Sequence, residues 1–201
     1  MIIGSLHLSV ALTYAGSAIS VLGIALTISG HLSGAVACLV VAGLADLFDG
    51  PVARSTQRTD FQRAFGVQLD SLADVVSFLV FPVVLVASLV GSWWVVPVLA
   101  GYTVAGLARL TYFTLGAAED DTPVSHYRGL PVTYAALVLP LVALLRPHLS
   151  VGFGLVLSLV TAALAVLFVL DVPVPKPRGA AYIGFGLLAV AVLVAVAVVG
   201  V

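Results

Sequence analysis

Seven apolar runs follow one another along the chain, at about 9–29, 32–51, 67–90, 92–115, 129–146, 149–170 and 179–200. Most approach the ~20 residues that a helix needs to cross the hydrocarbon layer of a membrane. The breaks between them are short. Gly30-His31 makes a tight turn, Gly91-Ser92 leads into Trp93-Trp94, and Pro173, Pro175 and Pro177 cannot continue a helix. Hydrophobic residues make up 62% of the 201 and charged residues only 8%, where a soluble domain carries about 25% charged. A soluble globule of this length has too little interior to hide so much apolar surface. Backbone groups in lipid must bond within their own segment, which leaves helices. The reading is therefore an all-α, polytopic transmembrane helical bundle of about seven helices, six to eight at the limits. It forms one integral-membrane domain over residues 1–201.

Charge narrows the partners and sets the orientation. A net charge of −1 excludes a polybasic binder, so no nucleic acid is expected. Cys38 is the single cysteine, so no internal disulfide forms, and it reads as a small core residue. No Lys or Arg precedes the first apolar run, so no cleavable signal is expected and the first helix stays. Arg54, Arg58 and Arg63 fall between runs two and three, Arg128 before run five, and Lys176 and Arg178 before run seven. With seven helices these connections share one side, which the positive-inside rule makes cytoplasmic. Arg146 alone falls opposite. Trp93 and Trp94 read as interfacial anchors.

The acids are the informative residues. Five of the nine lie between Asp46 and Asp74. Asp46 and Asp49 are spaced i, i+3 at the end of one apolar run. Asp70 and Asp74 are spaced i, i+4 in the first turns of the next, so each pair shares a helical face. A short connection makes the two helices antiparallel neighbours, and both pairs then converge at one depth near the cytoplasmic face. Four close carboxylates repel unless cations or protons intervene. Carboxylate oxygens suit Mg²⁺, Mn²⁺ or Ca²⁺. Two divalent cations are a fitting load, and two-metal sites serve phosphoryl chemistry. Gly50 gives a side-chain-free approach, Ala53 is small, Arg54 offers a fork suited to phosphate, and Gly66 opens the next helix beside the acids. Solvated helix ends paired with Arg54, Arg58 and Arg63 would explain any one acid, but not four acids, two glycines and an arginine at helical spacing. A cation transporter is a rival. It calls for broken helices with acids at mid-membrane and leaves Gly50, Ala53 and Arg54 without a role.

The segment Asp46-Leu-Phe-Asp49-Gly50-Pro-Val-Ala53-Arg54, followed by Gly66-Val-Gln-Leu-Asp70-Ser-Leu-Ala-Asp74, resembles the signature of the CDP-alcohol phosphotransferase family, D-x-x-D-G-x-x-A-R then G-x-x-x-D-x-x-x-D. All eight defining positions are present. The spacer from Ser55 to Phe65 is eleven residues against the family's usual eight, and the extra residues are expected to loop out into the cytoplasm. Phe65 to Phe78, Gly106-Leu-Ala-Arg109-Leu-Thr-Tyr-Phe113 and Arg128-Gly129-Leu130-Pro131 are similar to the serine branch, the CDP-diacylglycerol–serine O-phosphatidyltransferases. The resemblance covers roughly residues 40–135. The family's Asn-x-x-Thr in the first helix is not found, with Ser17 or Ser20 as substitutes.

The resemblance implies that Asp46, Asp49, Asp70 and Asp74 bind two divalent cations (Mg²⁺ or Mn²⁺) and that Asp74 is also the general base. Gly50, Ala53, Arg54 and Gly66 would line the CDP moiety. The implied reaction moves the phosphatidyl or archaetidyl group of CDP-diacylglycerol or CDP-archaeol to the hydroxyl of L-serine. It releases CMP and forms phosphatidylserine or archaetidylserine. Arg109, inside an apolar helix, and Arg128 are candidate partners for the serine carboxylate. His126 is a lesser candidate for the acceptor. The nearest alternative keeps the chemistry with glycerol 3-phosphate or inositol phosphate as the alcohol. An integral protein of the cytoplasmic membrane, embedded in membrane lipid and able to form a homodimer, is the expected setting. One Lys against seven Arg suggests a GC-rich genome, and an archaeal source would make the donor CDP-archaeol.

Overall fold

Helices form where the apolar runs lie. The computed structural model describes residues 8–119, 126–149, 152–175 and 179–201. Lys176, Arg178, His7 and most of the acidic loop before Tyr127 lie outside them. Helix α1 is Leu8–Ile28 and α2 is Leu32–Ser55. Helix α3 runs over Asp60–Val90, with a π-helical stretch at Val75–Val80. A 3₁₀ turn at Trp93–Val95 leads into α4, Val96–Glu119. Another at Val132–Tyr134 leads into α5, Ala135–Ala143. Helices α6, Phe153–Val169, and α7, Ala180–Val199, follow. Helices α1 to α4 and α7 are long and apolar enough to cross a membrane, while α5 and α6 are shorter. The chain is an integral membrane protein.

The sequence reading places the start of α3 too late. Thr59 Oγ1 accepts from the Gln62 backbone N–H at 3.2 Å, and Gln62 Oε1 accepts from the Thr59 N–H at 3.0 Å. This reciprocal cap satisfies two N–H groups that would otherwise lack partners. It starts the helix at Asp60. The spacer therefore does not loop out, since its last six residues are the first turns of α3. Gly66 lies inside the helix rather than opening it. Asp70 and Asp74 sit near the middle of the rod, not in its first turns.

The π stretch directly follows Asp74, and Pro82 accounts for it. Proline has no N–H and its ring crowds the carbonyl four residues earlier, here that of Phe78. The helix widens, so that the Phe81 N–H reaches Val76 O. Tyr102 on α4, fully buried, donates its hydroxyl to the Phe78 carbonyl at 2.6 Å. Tyr102→Phe leaves that carbonyl unsatisfied. The expected loss is about 1–3 kcal/mol, read as a lower midpoint of thermal unfolding in lipid nanodiscs. An unchanged midpoint would show that the π turn supports itself.

Helices in lipid gain little from apolar burial against each other and rely on close contact at small residues. Gly16 of α1 faces Ala45 of α2, where an added Cβ would stand 3.2 Å away. Gly23 faces Phe81 and Cys38, so the cysteine is a packing residue. The hydroxyls of Ser20 and Ser77 lie 2.8 Å apart and are buried. They join α1 to the π turn.

One element departs from an all-helical reading. His126–Arg128 (β1) pairs antiparallel with Pro173–Pro175 (β2), Tyr127 opposite Val174. The α4/α5 and α6/α7 connections thus meet on one face, as seven helices require. Gly129 follows the ribbon with φ +74°, and a Cβ there would lie 2.7 Å from Phe168 O. Its N–H bonds Val172 O at 2.9 Å. Glycine is needed for the backbone angle and for the space.

Candidate active site

Two pairs of aspartates meet where α2 and α3 pack. The i, i+3 spacing turns Asp46 and Asp49 toward α3, and the i, i+4 spacing turns Asp70 and Asp74 back toward α2. One oxygen each from Asp46, Asp49 and Asp70 lies within 4.8 Å of the others. Asp74 is in hydrogen-bond contact with Asp46, and Asp49 with Asp70. All four are half-buried. Carboxylates hold such spacing only with a proton or a cation between them. The donor set is all oxygen, with no cysteine or histidine in the cluster, and it fits a hard divalent ion.

Helix α1 supplies a residue the sequence reading missed. Thr13 Oγ1 donates to Asp49 Oδ2 at 3.0 Å. Ser17 is turned to the Thr13 carbonyl at 2.9 Å, and Ser20 to Gly16 O and Ser77. Neither serine stands in for the Asn-x-x-Thr. The threonine half of that element is Thr13, with Val10, buried, three residues before it. The available signal was a hydroxyl one turn from the start of an apolar helix.

The four aspartates line a cavity of about 690 Å³ between α2, α3, α4, α5 and α7, within the range of small-ligand sites. Gly50 and Arg109 line it with them, and Val40, Leu137, Ala189 and Val192 supply apolar wall. Thr133, Tyr134 and Tyr182 also face it. The sequence reading singled out none of these three. Arg109 is 5% exposed, and its guanidinium carbon stands 5.3 Å from the centre of the Phe113 ring. It is therefore no snorkelling anchor. A buried cation is costly in a membrane protein unless it faces a polar space or a partner. Gly129 lies beside it, where an added Cβ would be 3.5 Å from Arg109 Nε.

The other candidates are placed differently. Arg128 is exposed, 3.8 Å from Asp171, and outside the cavity wall. Ala53 and Gly66 are half-buried near the cluster but do not line the cavity. An added Cβ at Gly66 would make ordinary contact, 3.9 Å from Val10 and 4.0 Å from Arg58. Arg54 ends α2, and its side chain lies outside the described set.

A family model described as CDP-alcohol phosphatidyltransferase matches residues 6–170. An archaetidylserine synthase of Methanothermobacter thermautotrophicus is 32% identical over 164 residues, covering 79% of this chain and 65% of that protein. A CDP-diacylglycerol–serine O-phosphatidyltransferase of Mycobacterium tuberculosis is 32% identical over 154 residues, 71% of this chain and 51% of its own length. One from Saccharomyces cerevisiae is 37% identical over 121 residues, 55% of this chain and 42% of its own. The chain thus spans between about two fifths and two thirds of these relatives.

Proposed function

The chain belongs to the CDP-alcohol phosphatidyltransferase family, and from that premise we propose that it transfers the phosphatidyl or archaetidyl group of a CDP-linked lipid to the hydroxyl of L-serine, releasing CMP. One observation carries the reading: half-buried aspartates and Arg109 line the same cavity as the apolar side chains Val40, Leu137, Ala189 and Val192. A CDP-lipid has the same pairing of polar and apolar parts. Its diphosphate belongs at the carboxylates, through divalent cations, and its chains along Val40, Leu137, Ala189 and Val192. The relatives named for serine transfer support the acceptor. Arg109 lines the cavity and would take the serine carboxylate. Arg128 would reach the acceptor only by leaving Asp171. Gly50 lets the diphosphate approach the α2 backbone, and Ala53, Arg54 and Gly66 would border the nucleotide. The arginines beside this face support a cytoplasmic orientation.

In this reading serine Oγ forms a bond to the lipid-linked phosphorus, its proton passes to the Asp74 carboxylate, and the bond from that phosphorus to the CMP oxygen breaks. Two divalent ions, Mg²⁺ or Mn²⁺, held by Asp46, Asp49, Asp70 and Asp74 would offset the diphosphate charge and stabilise the departing CMP. Arg109 fixes the acceptor, and the apolar wall keeps bulk water from competing as nucleophile.

The test is CMP release from CDP-diacylglycerol and from CDP-archaeol, with Mn²⁺ or Mg²⁺, with and without L-serine. Serine-dependent release is the expected result. Release only with glycerol 3-phosphate or inositol phosphate would reassign the acceptor, and none with any alcohol would favour cation transport. A companion prediction concerns Thr13. Its hydroxyl orients Asp49, so Thr13→Val should weaken the metal requirement's midpoint by about 10–100-fold. Activity titrated against Mn²⁺ reads this, with the plateau nearly regained at saturation. An unshifted curve would leave Thr13 a packing residue.

A further inference from the structure

The end of the bundle away from the aspartates carries a second cavity, of about 480 Å³. Leu89 and Val90 at the end of α3, Trp94, Arg146 and Leu149 of the α5/α6 connection, and Phe153 and Leu155 of α6 wall it. Arg146 is its one charged group and is half-buried. Every acidic side chain described belongs to the opposite face, from Asp46 and Asp74 to Asp171. Arg146 makes no ion pair among the described residues. The positive-inside bias disfavours an arginine at this end. A guanidinium half-sunk among Leu, Val and Phe side chains, with no carboxylate on its side among the described residues, calls for an anion from outside the chain.

Depth identifies the anion. Trp93 is 89% exposed and Trp94 51%, and paired tryptophans at a helix turn mark the membrane–water interface. The abundant anion at that level is the phosphate of a lipid headgroup, which the guanidinium fork matches in shape. Leu155, exposed on the same cavity, gives it an apolar flank, as an acyl or isoprenoid chain requires. We infer that this cavity binds an anionic membrane lipid of the leaflet opposite the active site. Arg146 grips the headgroup phosphate, and half-buried Val90 and exposed Leu155 receive the first part of the chain. The bound lipid ties the α3/α4 turn to the α5/α6 connection. The site is independent of the transferase reading.

Trp93 and Trp94 are the only two tryptophans, so fluorescence excited selectively at tryptophan reports on this end of the bundle alone. The full chain is placed in phosphatidylcholine bilayers containing either brominated phosphatidylglycerol or brominated phosphatidylcholine. Quenching by the anionic lipid is expected at about fivefold lower mole fraction than by the zwitterionic one. Arg146→Gln should remove that preference, Arg146→Lys should keep part of it, and CMP release by both should be unchanged. Equal quenching of the wild-type protein by the two lipids overturns the inference, as does an undiminished preference in Arg146→Gln. Loss of the preference on adding millimolar inorganic phosphate also overturns it, because the anion would then be free phosphate. Should Arg146→Gln fail to fold, the wild-type comparison still decides.

Discussion

Asp74→Asn is expected to lower turnover by about 10²–10⁴-fold, the range of a removed general base, while CDP-lipid binding stays measurable. The substitution keeps the shape and leaves an amide that can still donate to Asp46, its hydrogen-bond neighbour. What it removes is the ability to take the serine proton. Asp74 also belongs to the proposed metal set, so the comparison is made at saturating Mn²⁺. A ligand defect recovers as the ion is raised, whereas a missing base does not. Single-turnover CMP release measures the chemical step, and retention of a labelled CDP-lipid measures binding. Near-normal single-turnover rates would remove Asp74 from the base role. Full recovery at high Mn²⁺ would make it a ligand only.

Arg109→Ala should raise the KM for serine by about 10–100-fold, the worth of a hydrogen bond to a charged group, and move the KM for CDP-lipid far less. The residue sits in the cavity with the aspartates, stacked toward Phe113 and buried. Its loss could also loosen α4. Arg109→Lys is the control, since it keeps the charge but not the planar fork, and it should fall between wild type and alanine. Added guanidinium should lower the serine KM of Arg109→Ala toward the wild-type value. Equal rises in both KM values, with no rescue, would assign Arg109 to the nucleotide or to packing.

Parts of this site were legible because they depend on local spacing. Asp46 and Asp49, then Asp70 and Asp74, lie one helical turn apart, so any helix through them presents each pair on one face. A short connection then leaves the pairs little choice but to face each other. The Thr59-x-x-Gln62 cap was equally local, and overlooking it moved the start of α3 from Asp60 to the later apolar run. Other features have no local signature. Thr13 and Asp49 are 36 residues apart, and nothing in either segment announces the other. Arg109 and Arg128 look alike as isolated cations; only packing buries the first in the cavity and leaves the second outside beside Asp171.

By itself the sequence determined an all-helical membrane bundle and a carboxylate cluster between its second and third helices. The lipid environment admits few alternatives to a helix for an apolar run, and the helical repeat fixes which acids share a face. Tertiary structure decided the widened turn at Pro82, the ribbon joining two distant connections, and which hydroxyl and which arginine serve the cluster. Those depend on contacts between segments far apart in the chain, where close packing selects one arrangement among many that the local pattern permits equally.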